Sequence, residues 1–337
     1  MIRARLAAVL LLAFAAPAAA QVVAGTSRGV LVAHDGIVEL FDESARPIWS
    51  APGVDHAAKV IVAGERAAIV DPWANQVRIV ALRNGDGTTT HTAETPVDAL
   101  FLHGDLYLLA RDARVLERIG ADGARTSVNV AADPAFLRQS SGLLYVYSRL
   151  GGLLQEIDPA GTIRRTVAAG PFAAGMEVDG RTAYFVFPRE AKLVSIDLEK
   201  MEVRRSVAAG GAPTSVAITR RGSAVSAPLL AIADPAAKRL WITEGSQSVG
   251  AAFGRGFLRG LLGLGLFRPR SAEFPTGIDR VVAGGGVTLA FDSATGTLYR
   301  ARGSGAVPLA QGLAPQSFAV AGNRVALWSG DTLRYEQ

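Results

Sequence analysis

The chain of 337 residues contains no cysteine. This absence excludes disulfide bonds, thiolate metal ligands and a cysteine nucleophile. Histidine is almost as scarce, and no two of the four residues have the spacing of a metal site on a helix or a hairpin. They are His34, His56, His91 and His103. We interpret them as solvent-facing turn residues, with His103 in a tight turn, and we expect no metal and no cofactor.

Sequence motifs of known catalytic machinery are also missing. There is no G-x-S-x-G nucleophile elbow and no P-loop. The glycines at 254, 256 and 260 have the wrong spacing for a dinucleotide fingerprint, and no βαβ pattern surrounds them. We therefore predict no catalytic residue and favour a non-catalytic role over an enzyme.

The first twenty residues, MIRARLAAVLLLAFAAPAAA, combine two arginines, a short apolar core and Ala18-x-Ala20 before Gln21. This is the pattern of a secretory signal peptide, and its apolar core is too short for a stable membrane span. We expect residues 1–20 to be removed near the Ala20–Gln21 bond. The sequence then predicts one periplasmic or secreted domain over 21–337.

The net charge of +5 is concentrated at two places in the chain. Loss of Arg3 and Arg5 with the signal peptide leaves +3. Four more arginines lie in or beside one segment near residue 260, and the rest of the chain is then close to −1. Because the basic excess is local, we expect no nucleic-acid partner.

A repeat of about 40 residues runs through the chain. Its most regular marker is a proline ahead of a short apolar strand, found at Pro52, Pro96, Pro134, Pro171, Pro213, Pro275 and Pro315. Within each unit, period-two alternation between Gly, Asp, Pro and Asn turns predicts four short strands. Four strands per 40 residues are typical of a β-propeller blade, so the sequence predicts an all-β propeller.

Two segments of the repeat resemble the YVTN/NHL-type propeller repeats of secreted bacterial proteins. They are YFVFPREAKLVSIDLEKMEVRRSVAAGGAPTSVAIT and LLYVYSRLGGLLQEIDPAGTIRRTVAAGPFAAGMEV. The first unit, GVLVAHDGIVELFDESARPIWSAPG, is more similar to a PQQ-type repeat, with Trp49 in the place of that repeat's tryptophan. The resemblance implies a central channel and a face able to bind ligands, while relatives range from enzymes to scaffolds.

The number of blades follows from counting units. Eight units fit the chain, the last one short of a strand; a ring of seven is the alternative, and it leaves about three N-terminal strands unused. Unused strands would expose sheet edges, which favours eight.

Three arginines fall in similar phase, in the turn after the second strand of successive units: Arg111, Arg149 and Arg189. Trp73 lies in the corresponding turn of an earlier unit. On neighbouring blades these side chains would share one face, where guanidinium groups suit carboxylate or phosphate ligands. The hypothesis is a ligand-binding face formed by these four residues; ordinary solvated arginines and a tryptophan packed between blades are the interpretation against which it stands.

Aspartates recur at turns, at Asp71, Asp158, Asp197, Asp234 and Asp292. An aspartate before a turn accepts backbone N–H groups, so a structural role is expected. The alternative is a ring of carboxylates that binds a divalent cation, as in lactonase-type propellers, but no converging set is evident.

One segment departs from the repeat, and we treat residues 247–270 as an insertion. Most of this segment, FGRGFLRGLLGLGLFRPR, is apolar, rich in glycine and free of acidic residues. Three alternatives remain: a lid packed on the propeller, a docking site for an envelope protein, or a peripheral membrane contact through 249–267. The predicted contact residues are Phe253, Arg255, Phe257, Leu258, Arg259, Leu261, Leu264 and Phe267.

These observations predict an exported propeller that acts as a non-catalytic binding or scaffolding module. Its expected partner is an envelope protein or a small anionic ligand. The alternative is a lactonase-like hydrolase with a metal at the channel mouth.

Overall fold

The computed structural model describes residues 21–209, 211–219, 228–244, 270–302 and 305–336. Within these ranges the regular structure consists of 31 β-strands, numbered here in chain order. In this part of the chain, no helix has the length and hydropathy needed to cross a membrane.

The first four blades occupy the N-terminal half. Blade 1 contains β1 (Val22–Thr26), β2 (Gly29–His34), β3 (Ile37–Phe41) and β4 (Pro47–Pro52). Blade 2 contains β5 (Lys59–Ala63), β6 (Arg66–Asp71), β7 (Gln76–Ala81) and β8 (Gly87–His91). Blade 3 contains β9 (Pro96–Leu102), β10 (Asp105–Ala110), β11 (Val115–Ile119) and β12 (Arg125–Asn129). Blade 4 contains β13 (Pro134–Ser140), β14 (Leu143–Ser148), β15 (Leu153–Ile157) and β16 (Ile163–Ala168).

The remaining blades complete the ring. Blade 5 contains β17 (Gly175–Asp179), β18 (Thr182–Phe187), β19 (Lys192–Asp197) and β20 (Glu202–Ala208). Blade 6 contains β21 (Ser215–Thr219), β22 (Leu229–Asp234), β23 (Arg239–Glu244) and β24 (Arg270–Glu273). Blade 7 contains β25 (Arg280–Gly284), β26 (Val287–Asp292), β27 (Thr297–Arg302) and β28 (Gly305–Ala310). Blade 8 contains β29 (Phe318–Ala321), β30 (Arg324–Ser329) and β31 (Thr332–Glu336).

Each blade is an antiparallel sheet whose strands pair in chain order. The first strand of every blade contacts the first strand of the next, and β1 contacts β29 to close the circle. The chain is thus an eight-bladed β-propeller, which confirms the predicted fold class and excludes the seven-bladed alternative. Blade 8 has three strands among the described residues, as its short unit predicts.

The repeated meander gives the ring two faces. The connections between blades and the turns between second and third strands lie together on one face, which we call the upper face. The turns between first and second strands lie on the opposite, lower face. The prolines that mark the repeat stand at or shortly before each first strand from blade 2 onward, so they mark blade boundaries.

The core lies between blades, and burial explains the composition of each strand. In blade 5, every residue of the second strand TAYFVF is buried, whereas most of the fourth strand EVRRSVA is exposed. Phe185 packs on Tyr147 of blade 4, with ring centroids 5.1 Å apart. Burying each such aromatic side chain stabilises the fold by about 1.5–3 kcal/mol. Apolar second strands and polar fourth strands are therefore the pattern that makes the repeat visible in sequence.

The insertion lies between the third and fourth strands of blade 6, since residues 245–269 separate β23 from β24. The predicted contact residues from Phe253 to Phe267 lie outside the described residues. Strand β24 pairs with β23 in regular antiparallel register, with Arg239 opposite Glu273, so blade 6 keeps four strands.

Candidate functional site at the upper channel mouth

A cavity of about 910 Å³ opens on the upper face, where first strands begin. The first strands of blades 1, 2, 3, 7 and 8 form its wall, and turns of blades 2 and 3 form its rim. Three cations are among its lining residues, Lys59, Arg111 and Arg280, and none of the described residues that line it is a carboxylate. The cavity is therefore suited to an anionic group.

Trp73 stands at the rim of this cavity and is 79% exposed. Its position is fixed by Asp71, a fully buried carboxylate at the end of β6. Oδ1 of Asp71 accepts hydrogen bonds from the backbone N–H groups of Trp73 and Ala74, both at 3.0 Å. A buried carboxylate thus braces the turn that carries the indole, and such exposure is unusual for so large an apolar side chain.

Arg111 lies across the rim, in the equivalent turn of blade 3. Its backbone N–H donates to the carbonyl of Thr95 at 2.9 Å, which ties this turn to the connection between blades. Its Nε donates to Oδ1 of Asp112 at 3.4 Å, a long and exposed contact. Most of the donor capacity of this guanidinium is therefore available to a ligand.

Beside the mouth, four consecutive first strands carry a chain of alternating charges. Lys59 Nζ donates to Oδ1 of Asp98, and Arg138 Nη1 donates to Oδ2 of Asp98 at 2.9 Å. Arg138 Nη2 then donates to Oε1 of Glu177 at 2.9 Å. Oδ2 of Asp98 also accepts the backbone N–H of Leu137 at 2.9 Å. The chain links blades 2 to 5 around the axis.

The buried members of this chain have shifted pKa values. Burial alone would raise the pKa of Asp98, but the charges of Lys59 and Arg138 hold it below its ordinary value. Burial would lower the pKa of Arg138, whereas Glu177 and Asp98 raise it. Asp98 and Arg138 are therefore both ionised at neutral pH. Since Lys59 is committed to Asp98, it contributes less free charge to the cavity than Arg111 does.

Arg280 forms the opposite wall, at the start of β25. Its Nη1 donates to the carbonyl of Pro315, and its guanidinium lies 5.7 Å from the ring centroid of Phe318. Burial lowers the pKa of Arg280, with Asp279 opposing the shift. Lys59 and Arg280 were not predicted from the sequence. Both are the first residue of a blade's first strand, and this shared position in the repeat could have identified them.

The structure brings together only part of the predicted arginine set. Arg111 and Trp73 line one cavity, while Arg149 and Arg189 lie further round the upper face and do not line it. Arg149 is bound by Asp133, with Nε–Oδ2 and Nη2–Oδ1 distances of 3.1 Å. Arg189 stacks on Phe172, with Cζ 4.7 Å from the ring centroid. The backbone N–H groups of Arg111 and Arg149 do have the same role. Each donates to a carbonyl in the connection that precedes its blade, at Thr95 for Arg111 and at Asp133 for Arg149.

His34 is not the solvent-facing turn residue that the sequence predicted. It ends β2, is 9% exposed, and lies 4.7 Å from Trp328 of blade 8, measured between ring centroids. Nε2 of His34 lies 3.0 Å from Glu39 Oε2. A ring nitrogen of His34 and one carboxylate oxygen each of Asp35 and Asp331 lie within 4.8 Å of one another. Ring closure creates this group from opposite ends of the chain, which is why spacing could not reveal it. His103 does lie in a tight turn, with φ of 51°.

The recurrent aspartates fill the turn role expected for them. Asp197 accepts backbone N–H groups of Glu199 and Lys200, at 2.9 and 3.1 Å. Asp234 and Asp292 accept similar bonds within their own turns. Their carboxylates are therefore engaged by the fold.

Known proteins resemble this chain in structure alone: no family model and no curated protein sequence matches it. The computationally designed Ika8 protein is similar with a TM-score of 0.70 and 9% identity, over 94% of this chain and 96% of that one. BamB from Moraxella catarrhalis gives a TM-score of 0.66 and 12% identity, over 93% and 94%. Streptogramin B lyase gives a TM-score of 0.57 and 12% identity, over 88% of this chain and 95% of that one. At these identities the shared feature is the fold, and the chain is similar to these proteins as a β-propeller.

Proposed function

We propose that this protein is an exported, non-catalytic propeller that binds an acidic segment of an envelope protein, or a small anionic ligand, at the upper channel mouth. The proposal rests on the exposed Trp73, on a turn braced by Asp71, and on the available guanidinium of Arg111, both at the rim of a cavity lined by cations. Tryptophan and arginine are the residue types most enriched in binding hot spots, and here both lie at the rim of a concave surface. Export rests on the signal peptide pattern, and the repeat type on the YVTN/NHL and PQQ resemblance.

A fluorescence titration tests this proposal, because ligand contact at the rim changes the environment of Trp73. Citrate, pyrophosphate and an oligoglutamate peptide serve as probes. The site predicts saturable quenching by at least one probe, with affinity lowered about tenfold or more in Arg111→Met. Arg181→Met is the matched control, since Arg181 is exposed on the lower face and pairs with Glu199. Equal loss in both variants would show a general charge effect and contradict the site.

The insertion supplies a second contact in this proposal, through the phenylalanines and leucines between 253 and 267. Replacing 249–267 with a short Gly-Ser turn tests it by pull-down and vesicle flotation. Loss of an envelope partner with the fold retained supports the contact. Loss of flotation on anionic vesicles points instead to the membrane alternative. Poor folding with no binding beforehand indicates a lid and overturns the contact.

The metal-dependent hydrolase has one observation in its favour, the group of His34, Asp35 and Asp331, whose candidate ligand atoms lie within 4.8 Å of one another. None of the three lines the mouth cavity, and streptogramin B lyase shows that enzymes use this fold. Metal content of the purified protein distinguishes the two functions. A divalent ion bound stoichiometrically to the wild type and lost in His34→Ala favours the hydrolase. A wild type without such an ion favours the binding function.

A further inference from the structure

A second cavity, of about 320 Å³, lies on the lower face at the seam between blades 7 and 8. It is lined by Gly285, Gly286, Val287, Arg300, Asn323 and Arg324. Two arginines face this space, and neither forms an ion pair with any described residue. A water molecule occupies about 30 Å³ in the liquid, so the cavity has room for a small anion with part of its hydration shell.

Arg300 has a buried donor without an acceptor. Its Nη1 is inaccessible to solvent and has no hydrogen-bond partner among the described residues. A buried N–H without an acceptor is costly, because it has lost its water partners and gained none in the protein. An unsatisfied group of this kind needs an explanation, and the cavity that Arg300 lines offers one.

The repeat itself shows what occupies the equivalent place elsewhere. Arg300 pairs with Leu289, the third residue of β26, and Arg118 pairs with Tyr107, the third residue of β10. The two arginines are therefore equivalent in blades 7 and 3. In blade 3, Oδ2 of Asp105 accepts from Nε of Arg118 at 2.7 Å and from Nη2 at 2.6 Å.

Blade 7 lacks that carboxylate. Asp105 is the first residue of β10, and the first residue of β26 is Val287, whose side chain has no acceptor. The arginine is retained while its partner is absent, and the cavity adjoins this position. Arg324 adds a second positive charge at the rim, where Nη1 donates to the carbonyl of Glu43 at 3.0 Å and the guanidinium lies 5.8 Å from the ring centroid of Tyr335.

We propose that this cavity is a binding site for a small oxyanion, a carboxylate or phosphate group, which accepts hydrogen bonds from the Arg300 guanidinium and takes the place beside it that Asp105 has beside Arg118. The site lies on the face opposite the channel mouth and does not depend on the function proposed there. Arginine suits such anions because its planar donors match two oxygens at once.

Thermal unfolding in a buffer without phosphate or carboxylate tests the site. Inorganic phosphate and acetate are compared with sodium chloride at equal ionic strength, and whichever oxyanion binds identifies its class. We expect that oxyanion to raise Tm by about 2–4 °C at roughly tenfold excess over Kd, and sodium chloride not to do so. Arg300→Met abolishes this rise. Arg66→Met keeps it, since Arg66 holds the position of Arg324 in blade 2 and lies 5.0 Å from the Phe101 ring centroid.

Val287→Asp supplies the missing carboxylate within the chain. It is expected to fold, to match or exceed the Tm of the wild type and to lose the response to oxyanions. Val287→Asn, of similar shape but neutral, has a lower Tm than Val287→Asp. Equal effects of oxyanions and chloride overturn the proposal. So does Val287→Asp if it fails to fold or keeps the wild-type response, because a buried carboxylate beside an unpaired arginine must find its partner.

Discussion

Asp98 and Arg138 lie on neighbouring first strands, and a hydrogen bond of 2.9 Å joins Oδ2 of Asp98 to Nη1 of Arg138. Asp98 is 2% exposed and also receives Lys59 from the preceding blade, so a single carboxylate ties three blades together. Its removal leaves Arg138 with Glu177 as its one carboxylate partner among the described residues, beside the carbonyl of Leu137.

Asp98→Ala is therefore expected to lower the free energy of unfolding by about 3–5 kcal/mol, the cost of breaking a buried ion pair from one side. Urea unfolding followed by circular dichroism measures the change. Asp122→Ala, which removes an exposed turn carboxylate, is the control and should change stability by about 0.5–1 kcal/mol. A similar small loss in both variants would contradict the structural role of Asp98.

The same carboxylate predicts a pH dependence. Its pKa in the folded protein lies below the ordinary value, so its ionisation stabilises the fold above about pH 5, and this contribution is lost as pH falls through the folded pKa. The difference in unfolding free energy between wild type and Asp98→Asn should thus be largest at neutral pH and narrow toward pH 2. Urea unfolding at several pH values measures it, and a constant difference would show that the charge of Asp98 is immaterial.

The turn that presents Trp73 should depend on Asp71. Asp71→Ala removes the acceptor of two turn N–H groups and of the backbone N–H of His56 at 3.2 Å. We expect it to lower the free energy of unfolding by about 1.5–3 kcal/mol. The emission of Trp73 should also change as the turn loosens. Acrylamide quenching reports this change, and quenching identical to the wild type would mean that the turn keeps its shape without the carboxylate.

Ring closure should depend on Gly25. A Cβ atom at Gly25 would lie 2.6 Å from the carbonyl oxygen of Val320 in blade 8, while one at Gly284 would lie 3.5 Å from the Val320 side chain. Gly25→Ala forces blades 1 and 8 apart and should cost about 1–3 kcal/mol. Gly284→Ala is the matched control, and thermal unfolding compares the two. Equal Tm values would show that the contact between blades 1 and 8 accommodates the added methyl group.

The fold was predictable because each blade repeats the same burial. Apolar second strands such as TAYFVF, polar fourth strands and boundary prolines recur at about 40 residues, and these give eight blades directly from the sequence. The insertion also stood out, because its composition breaks the repeat.

The site was predictable only in part. Trp73 and Arg111 could be placed on one face by their phase in the repeat, but which arginines remain available depends on neighbours such as Asp133 beside Arg149. The chain from Lys59 to Glu177 was missed, although its separations of 39, 40 and 39 residues equal the repeat. His34 was misjudged because ring closure, not local sequence, buries it against Trp328.

If the upper channel mouth binds a partner, photo-crosslinking in the cells that make the protein should capture it. A photoreactive phenylalanine is introduced at position 73 on the upper face or at position 181 on the lower face. We expect one discrete adduct at position 73, absent at 181 and lost when Arg111→Met is added. The same adducts at both positions would contradict it, and so would the absence of an adduct at 73 together with no saturable quenching by the anionic probes.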